Sequence, residues 1–128
     1  MPNVTPANGK LLEQAAQALS DSTVQLLKDG KWNSLDSDAT AFRLAVRLNM
    51  DVITPTEESP NAICKTKDGL LVSSIKCDFT DPFKGVRRAI TMTAAKITQE
   101  KIKTNGKYNQ GSFIRDSIGT PEPKRYFN

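Results

Sequence analysis

The chain has 128 residues, 38% of them hydrophobic and 6% aromatic, a size that fits one domain burying roughly two-thirds of its unfolded surface without help from metal or disulfide. Eighteen Lys and Arg against 14 Asp and Glu give a net charge of +4, which admits an anionic partner but does not require one. Histidine is absent, which excludes Ser/His/Asp and Cys/His catalysis within one chain and histidine-ligated zinc; the two cysteines, Cys64 and Cys77, cannot alone build a four-cysteine zinc site.

No apolar run reaches the ~18 residues of a membrane helix, so no membrane partner is expected. The opening Met1-Pro2-Asn3-Val4-Thr5-Pro6 has neither the basic nor the apolar region of a secretory signal, and the expected location is the cytoplasm. Residues 1–9, with Pro2, Pro6 and Gly9, read as a flexible lead-in. Residues 10–28 read as one helix, because Leu12, Ala15, Ala16, Leu19, Thr23, Leu26 and Leu27 recur at helical spacing. Asp29-Gly30 stops it, with Gly30 suited to the left-handed position after a helix. Trp32 is expected to plug the junction to the next helix.

Asp36-Ser37-Asp38 supplies helix caps, and a second helix is expected over residues 38–49. Ala41, Phe42, Leu44, Ala45, Val46 and Leu48 make it apolar around most of its circumference, the mark of a largely buried helix. Arg43 and Arg47, four apart, form its polar exit. Residues 50–54 read as a short strand and 55–60 as a loop.

Residues 61–79 read as a hairpin turning at Asp68-Gly69, a two-residue turn of the positive-φ type. That turn sets Lys67 opposite Leu70, Lys65 opposite Val72 and Cys64 opposite Ser73. One face then carries Ala62, Cys64, Leu71 and Ile75, with Thr66 and Ser73, toward the core. The other carries Ile63, Lys65, Lys67, Leu70, Val72, Ser74 and Lys76. Cys77 falls four residues along from the partner of Cys64, about 13 Å away, too far for a disulfide. Both cysteines are expected as small buried hydrophobes.

Asp78 and Asp81 cap a last helix, with Pro82 at its first position, over residues 82–103. Phe83, Val86, Ile90, Ala94 and Ile97 form its expected buried stripe. Residues 104–128, with Tyr108, Phe113, Ile114, Tyr126 and Phe127, read as an extended tail able to dock on another subunit. The expected architecture is therefore a single α+β domain over residues 10–103. A short, mostly antiparallel sheet is flanked by helices, with an extra N-terminal helix and an extended C-terminal tail.

The aspartate-rich cap, buried helix, hairpin and closing Asp81-Pro82-Phe83-Lys84-Gly85-Val86-Arg87-Arg88-Ala89 resemble a small family of phage-encoded proteins: the NinX-like proteins and related alpha-beta-alpha sandwich domains. The resemblance covers residues 36–100. Gly85 stands where alanine is usual, Arg88 separates Arg87 from Ala89, and the hairpin lacks the usual tryptophan. The family carries no established catalytic residues. The resemblance implies an accessory protein of a bacterial virus, acting in the host cytoplasm on host or immune components.

Three chemistries are open to these residues. Arg43, Arg47, Lys65, Lys67, Lys84, Arg87 and Arg88 form a candidate anion site, since arginine pairs bind phosphate bidentately. Nucleic-acid binding is allowed by the charge, although no recognition motif or dense basic stripe is present. Enzymatic use of Asp36, Asp38, Asp51, Asp78 and Asp81 on magnesium competes with their service as caps, and Gly9-Lys10 lacks the upstream glycine of a phosphate loop. The leading expectation is a non-enzymatic, cofactor-free homo-oligomer. It would inhibit host antiviral defence by sequestering a nucleotide-type immune signal or a host defence protein. The alternative is a nucleic-acid-binding accessory protein for phage replication or recombination.

Overall fold

The computed structural model of the protein describes residues 6–111, with side chains over residues 7–103. It is an α+β domain: α1 (Pro6–Leu19), α2 (Asp21–Lys28), α3 (Asp38–Arg47), β1 (Met50–Ile53), β2 (Asn61–Thr66), β3 (Val72–Lys76) and α4 (Pro82–Gly111). The three strands form one antiparallel meander in the order β1-β2-β3. The expected lead-in of residues 1–9 and the expected tail from residue 104 are each partly helical, as the first turn of α1 and the end of α4. The rest of those two segments, and the tail aromatics, lie outside the described residues.

The single helix expected over residues 10–28 is two. Ser20 breaks it in an extended conformation (φ −175°), and its hydroxyl accepts the Thr23 amide at 3.1 Å to start α2. A serine that satisfies the orphan amides of a new helix gives the chain an alternative to continuing the old one. α2 closes on Gly30 at φ 75°, with Lys31 N–H donating to the Leu26 carbonyl and Gly30 N–H to that of Leu27. This paired closure is the one a glycine in the left-handed region permits. Asn49 (φ 57°) takes the same left-handed position after α3, its amide donating to the Val46 carbonyl.

The hairpin register is as the sequence predicts, with Lys65 facing Val72 and Cys64 facing Ser73. The turn differs. Only Gly69 has positive φ (75°), and its amide donates to the Thr66 carbonyl. The loop is therefore four residues, 67–70, not two. Asp68 holds it by accepting from the Thr66 hydroxyl (2.6 Å) and the Leu70 amide (3.0 Å). A local side-chain cap replaces the second positive-φ residue.

α4 is the central element, packed on α1, α3, β2 and β3. Thr93 reaches the sheet, donating to the Cys64 carbonyl at 3.0 Å, while Thr98 donates to the Gln14 carbonyl of α1 at 2.7 Å. Five residues separate the two, roughly 140° around a helix, so sheet and α1 lie on opposed flanks of α4. Ala15, Ala41, Ala62, Ala89 and Ala94 populate the core with Leu44, Ile90 and both cysteines. Both cysteines are free and buried. Trp32 is partly buried against the same cluster, at the junction expected for it.

Two further expectations are corrected. α3 is buried only along Ala41, Leu44 and Ala45, leaving Phe42 69% and Val46 61% exposed. Phe83, placed by its spacing in the stripe of α4, is 61% exposed. The reason is coverage: β1, the strand packed beside α3, has only four residues.

Candidate functional site

The seven basic residues singled out in the sequence are distributed over five places. Lys65 is on the outward face of β2, since its neighbour Cys64 points to the core. Lys67 sits in the hairpin loop and bonds Asp51 at 2.7 Å. That bond holds the Asp51 carboxyl below its ordinary value. Arg87 faces inward with its side chain 15% exposed; its Nε donates to the Leu35 carbonyl at 2.8 Å and Nη1 meets Asp38 at 2.6 Å. Arg88 turns toward α1 and donates to Asn8 Oδ1 at 3.2 Å. It shares a hollow of about 240 Å³ with Lys84, beside Asp78 and Asp81.

Arg43 and Arg47 stay together on the outer face of α3. Among the described residues neither has an ion pair. The structure thus brings Arg43 to Arg47 and Lys84 to Arg88, and sets both pairs apart from Lys65 and Lys67.

A different site stands out. Between α3, β1 and the start of α4 lies a pocket of about 310 Å³. Its walls are Ala41, Phe42, Val52, Phe83, Val86 and Ile90; Asp38, Thr54 and Arg87 supply the polar groups at its edge. Local chemistry places each wall. Ser37 starts α3 by accepting the Thr40 amide at 3.2 Å, and Asp81 accepts the Lys84 amide at 3.3 Å as α4 begins at Pro82. Val52 pairs with Cys64, so it shares the core face of the sheet. Arg87 ties the two helices across one edge through Leu35 and Asp38, and the Ser34 and Thr91 hydroxyls, 2.7 Å apart and both buried, brace the same junction.

A second hollow lies beside the pocket on α3. Phe42 also lines a groove of about 200 Å³ with Arg43, Val46 and Arg47. Exposed apolar side chains thus follow one another from Phe83 to Phe42 and Val46, beside Arg43 and Arg47, which have no ion pair among the described residues. Sequence reasoning missed this exposure because the apolar spacing of Phe42 and Phe83 is that of a core stripe. The readable signal was the excess: α3 carries more apolar residues than one buried face needs.

Apolar walls of this kind hold apolar groups; they offer little to orient a charged or strongly polar ligand. Among the described residues no three Cys, Asp or Glu side chains gather as metal ligands would, and no helix is long and apolar enough to cross a membrane. The Cys64 thiol is pushed up by burial, away from the thiolate form. No family model, curated protein or solved structure matches the chain. The resemblance to the NinX-like phage proteins rests on the residues quoted for it.

Proposed function

We propose that this chain is a non-enzymatic binding protein that sequesters a protein partner, and that the partner seats an apolar side chain in the pocket between α3, β1 and α4. One observation carries the reading. Phe42 and Phe83 are 69% and 61% exposed on either side of an apolar pocket of about 310 Å³. Each ring left in water forgoes roughly 1–2 kcal/mol of burial. Contiguous exposed apolar surface of this kind marks an interaction site.

Of the two sequestration targets the sequence suggests, this supports the host defence protein over the nucleotide signal. Nucleotide capture asks for converging phosphate ligands, whereas Lys67, Arg87 and Arg88 are engaged with Asp51, with Leu35 and Asp38, and with Asn8. The viral accessory role, the host-cytoplasm location and the anti-defence outcome come from the resemblance of residues 36–100. Self-association belongs to the same proposal: it would use the outward face of the sheet, where Ile53 and Val72 are exposed with Leu70 in the adjoining hairpin loop, and leave the pocket open. Sedimentation velocity reads it directly.

The test compares wild type with Phe42→Asp and Phe83→Asp, each shown to be folded by circular dichroism. Host-lysate pull-down and native mass spectrometry with cyclic and linear nucleotides are run on all three. The expected result is a host protein retained by wild type and lost from both variants, with no nucleotide adduct. A nucleotide adduct that survives both substitutions, or a partner retained equally by all three, overturns the reading.

A further inference from the structure

We infer that the partner segment is an acidic amphipathic helix lying along α3, with one apolar side chain in the pocket and its carboxylates on Arg43 and Arg47. The inference rests on the pocket being the capture site and adds the chemistry of what it captures.

The shape of α3 argues for a helix. Phe42 and Val46 are four residues apart, as are Arg43 and Arg47, so each pair is spaced by about 6 Å along the axis. A partner helix repeats its own side chains at the same rise, and rows of residues four apart interdigitate when two helices pack. An apolar row on the partner then meets Phe42 and Val46, and the row beside it meets the two arginines. Phe42 lines both the groove along α3 and the pocket, so a partner row laid along that groove brings a longer apolar side chain to the pocket beside the same ring. Helices that lay an apolar face into a groove with a few anchors are a recurrent mode of peptide recognition.

The charge argues for acids. Arg43 and Arg47 have no ion pair among the described residues, while the acid at the pocket edge, Asp38, is already bound to Arg87. Two guanidinium forks one turn apart match two carboxylates one turn apart. An oligonucleotide fits less well. Two cations, Arg43 and Arg47, would release little counterion, a salt slope of only about −1.4.

The test uses three peptides of about 18 residues, long enough to form helix on binding. The first is amphipathic, with Leu at i, i+4 and i+7 flanked by Glu. The second replaces Glu by Lys. The third scrambles the first at constant composition. A short single-stranded oligonucleotide is the fourth probe. Each is titrated into the full chain by 15N amide shifts and by fluorescence anisotropy, against wild type, Phe42→Asp and the double variant Arg43→Glu/Arg47→Glu.

The expected result is saturation by the acidic amphipathic peptide alone, with shifts confined to α3, β1 and the first turns of α4. The charge-reversed variant should bind it at least tenfold more weakly and bind the Lys peptide more tightly than wild type does. Equal binding of the Lys or scrambled peptide, preference for the oligonucleotide, shifts elsewhere, or no saturation by any peptide overturns the inference. The two levels separate cleanly. If Phe42→Asp abolishes binding but charge reversal changes nothing, the pocket stands and the acidic helix falls. If Phe42→Asp changes nothing, both fall.

Discussion

Replacing Gly85 by alanine should destabilise the fold, although the residue lies inside a helix where alanine is ordinarily the better choice by about 1 kcal/mol. A Cβ built on Gly85 would stand 2.3 Å from Cys77 Sγ and 3.3 Å from Cys77 Cβ. Non-bonded carbon contacts sit near 3.5–4 Å, so the sulfur must move by more than about 1 Å. Cys77 is 5% exposed and its thiol meets the Ile75 carbonyl at 3.6 Å, so the sulfur can yield only toward the hollow of about 240 Å³ that it lines with Gly85, at the cost of that contact. Overpacking of this kind costs about 1–3 kcal/mol, and subtracting the helical gain leaves a net loss of roughly 1–2 kcal/mol. The assay is urea unfolding, with an expected fall in midpoint of roughly 0.5–1 M. The control removes the sulfur: on a Cys77→Ala background the same Gly85→Ala change should become neutral or stabilising, a coupling of about 2 kcal/mol. If Gly85→Ala stabilises the wild-type chain, or the two changes simply add, the close approach of α4 to the Cys77 backbone is wrong. The matter bears on function, because that approach sets where α4 begins and so where Phe83 and Val86 stand.

Arg87→Met keeps the aliphatic stem but strands the Leu35 carbonyl and frees Asp38, and urea unfolding should show a loss of about 1–3 kcal/mol. Asp38→Asn should cost under about 1 kcal/mol, because that carboxylate is 61% exposed. Ser73→Ala should be neutral or stabilising by up to about 1 kcal/mol, because the Ser73 hydroxyl is buried without a partner among the described residues; a loss above that would mean the hydroxyl is bonded in solution. Asp51, Asp68 and Asp78 are held below the ordinary carboxylate value by the Lys67 ammonium, the Thr66 hydroxyl and the Thr80 amide respectively. A group with a depressed folded value stabilises above its unfolded pKa, about 3.9, and loses that contribution as pH falls through the folded one. Thermal midpoints should therefore hold from pH 7 to 5 and drop below about 4, and replacing all three by Asn should flatten the acid limb.

The parts of the fold that were legible are those governed by local chemistry. Gly30 closing a helix, Ser37 opening one, Pro82 behind Asp81, and the alternation around Asp68-Gly69 each act within a few residues, and each is found where the sequence puts it. Ser20 was missed although Ser20-Asp21-Ser22-Thr23 carries a capping pattern, because the apolar spacing runs on through the break. Phe42 and Phe83 were misread for a different reason. Periodicity says which residues share a face, but not whether another element is long enough to cover it. The basic residues raise the same difficulty: the acceptors that engage Arg87 lie 52 and 49 positions away, at Leu35 and Asp38, and no spacing within α4 announces them.

The measurement that bears most directly on capture through the pocket is hydrogen exchange of the chain alone and with its captured partner. The account predicts new protection over α3, β1 and the first two turns of α4, centred on Phe42 and Phe83, with the outward face of β2 and β3 unchanged. Protection confined to that sheet face, or spread over Lys65, Lys67 and Lys84 with α3 unaffected, would contradict it.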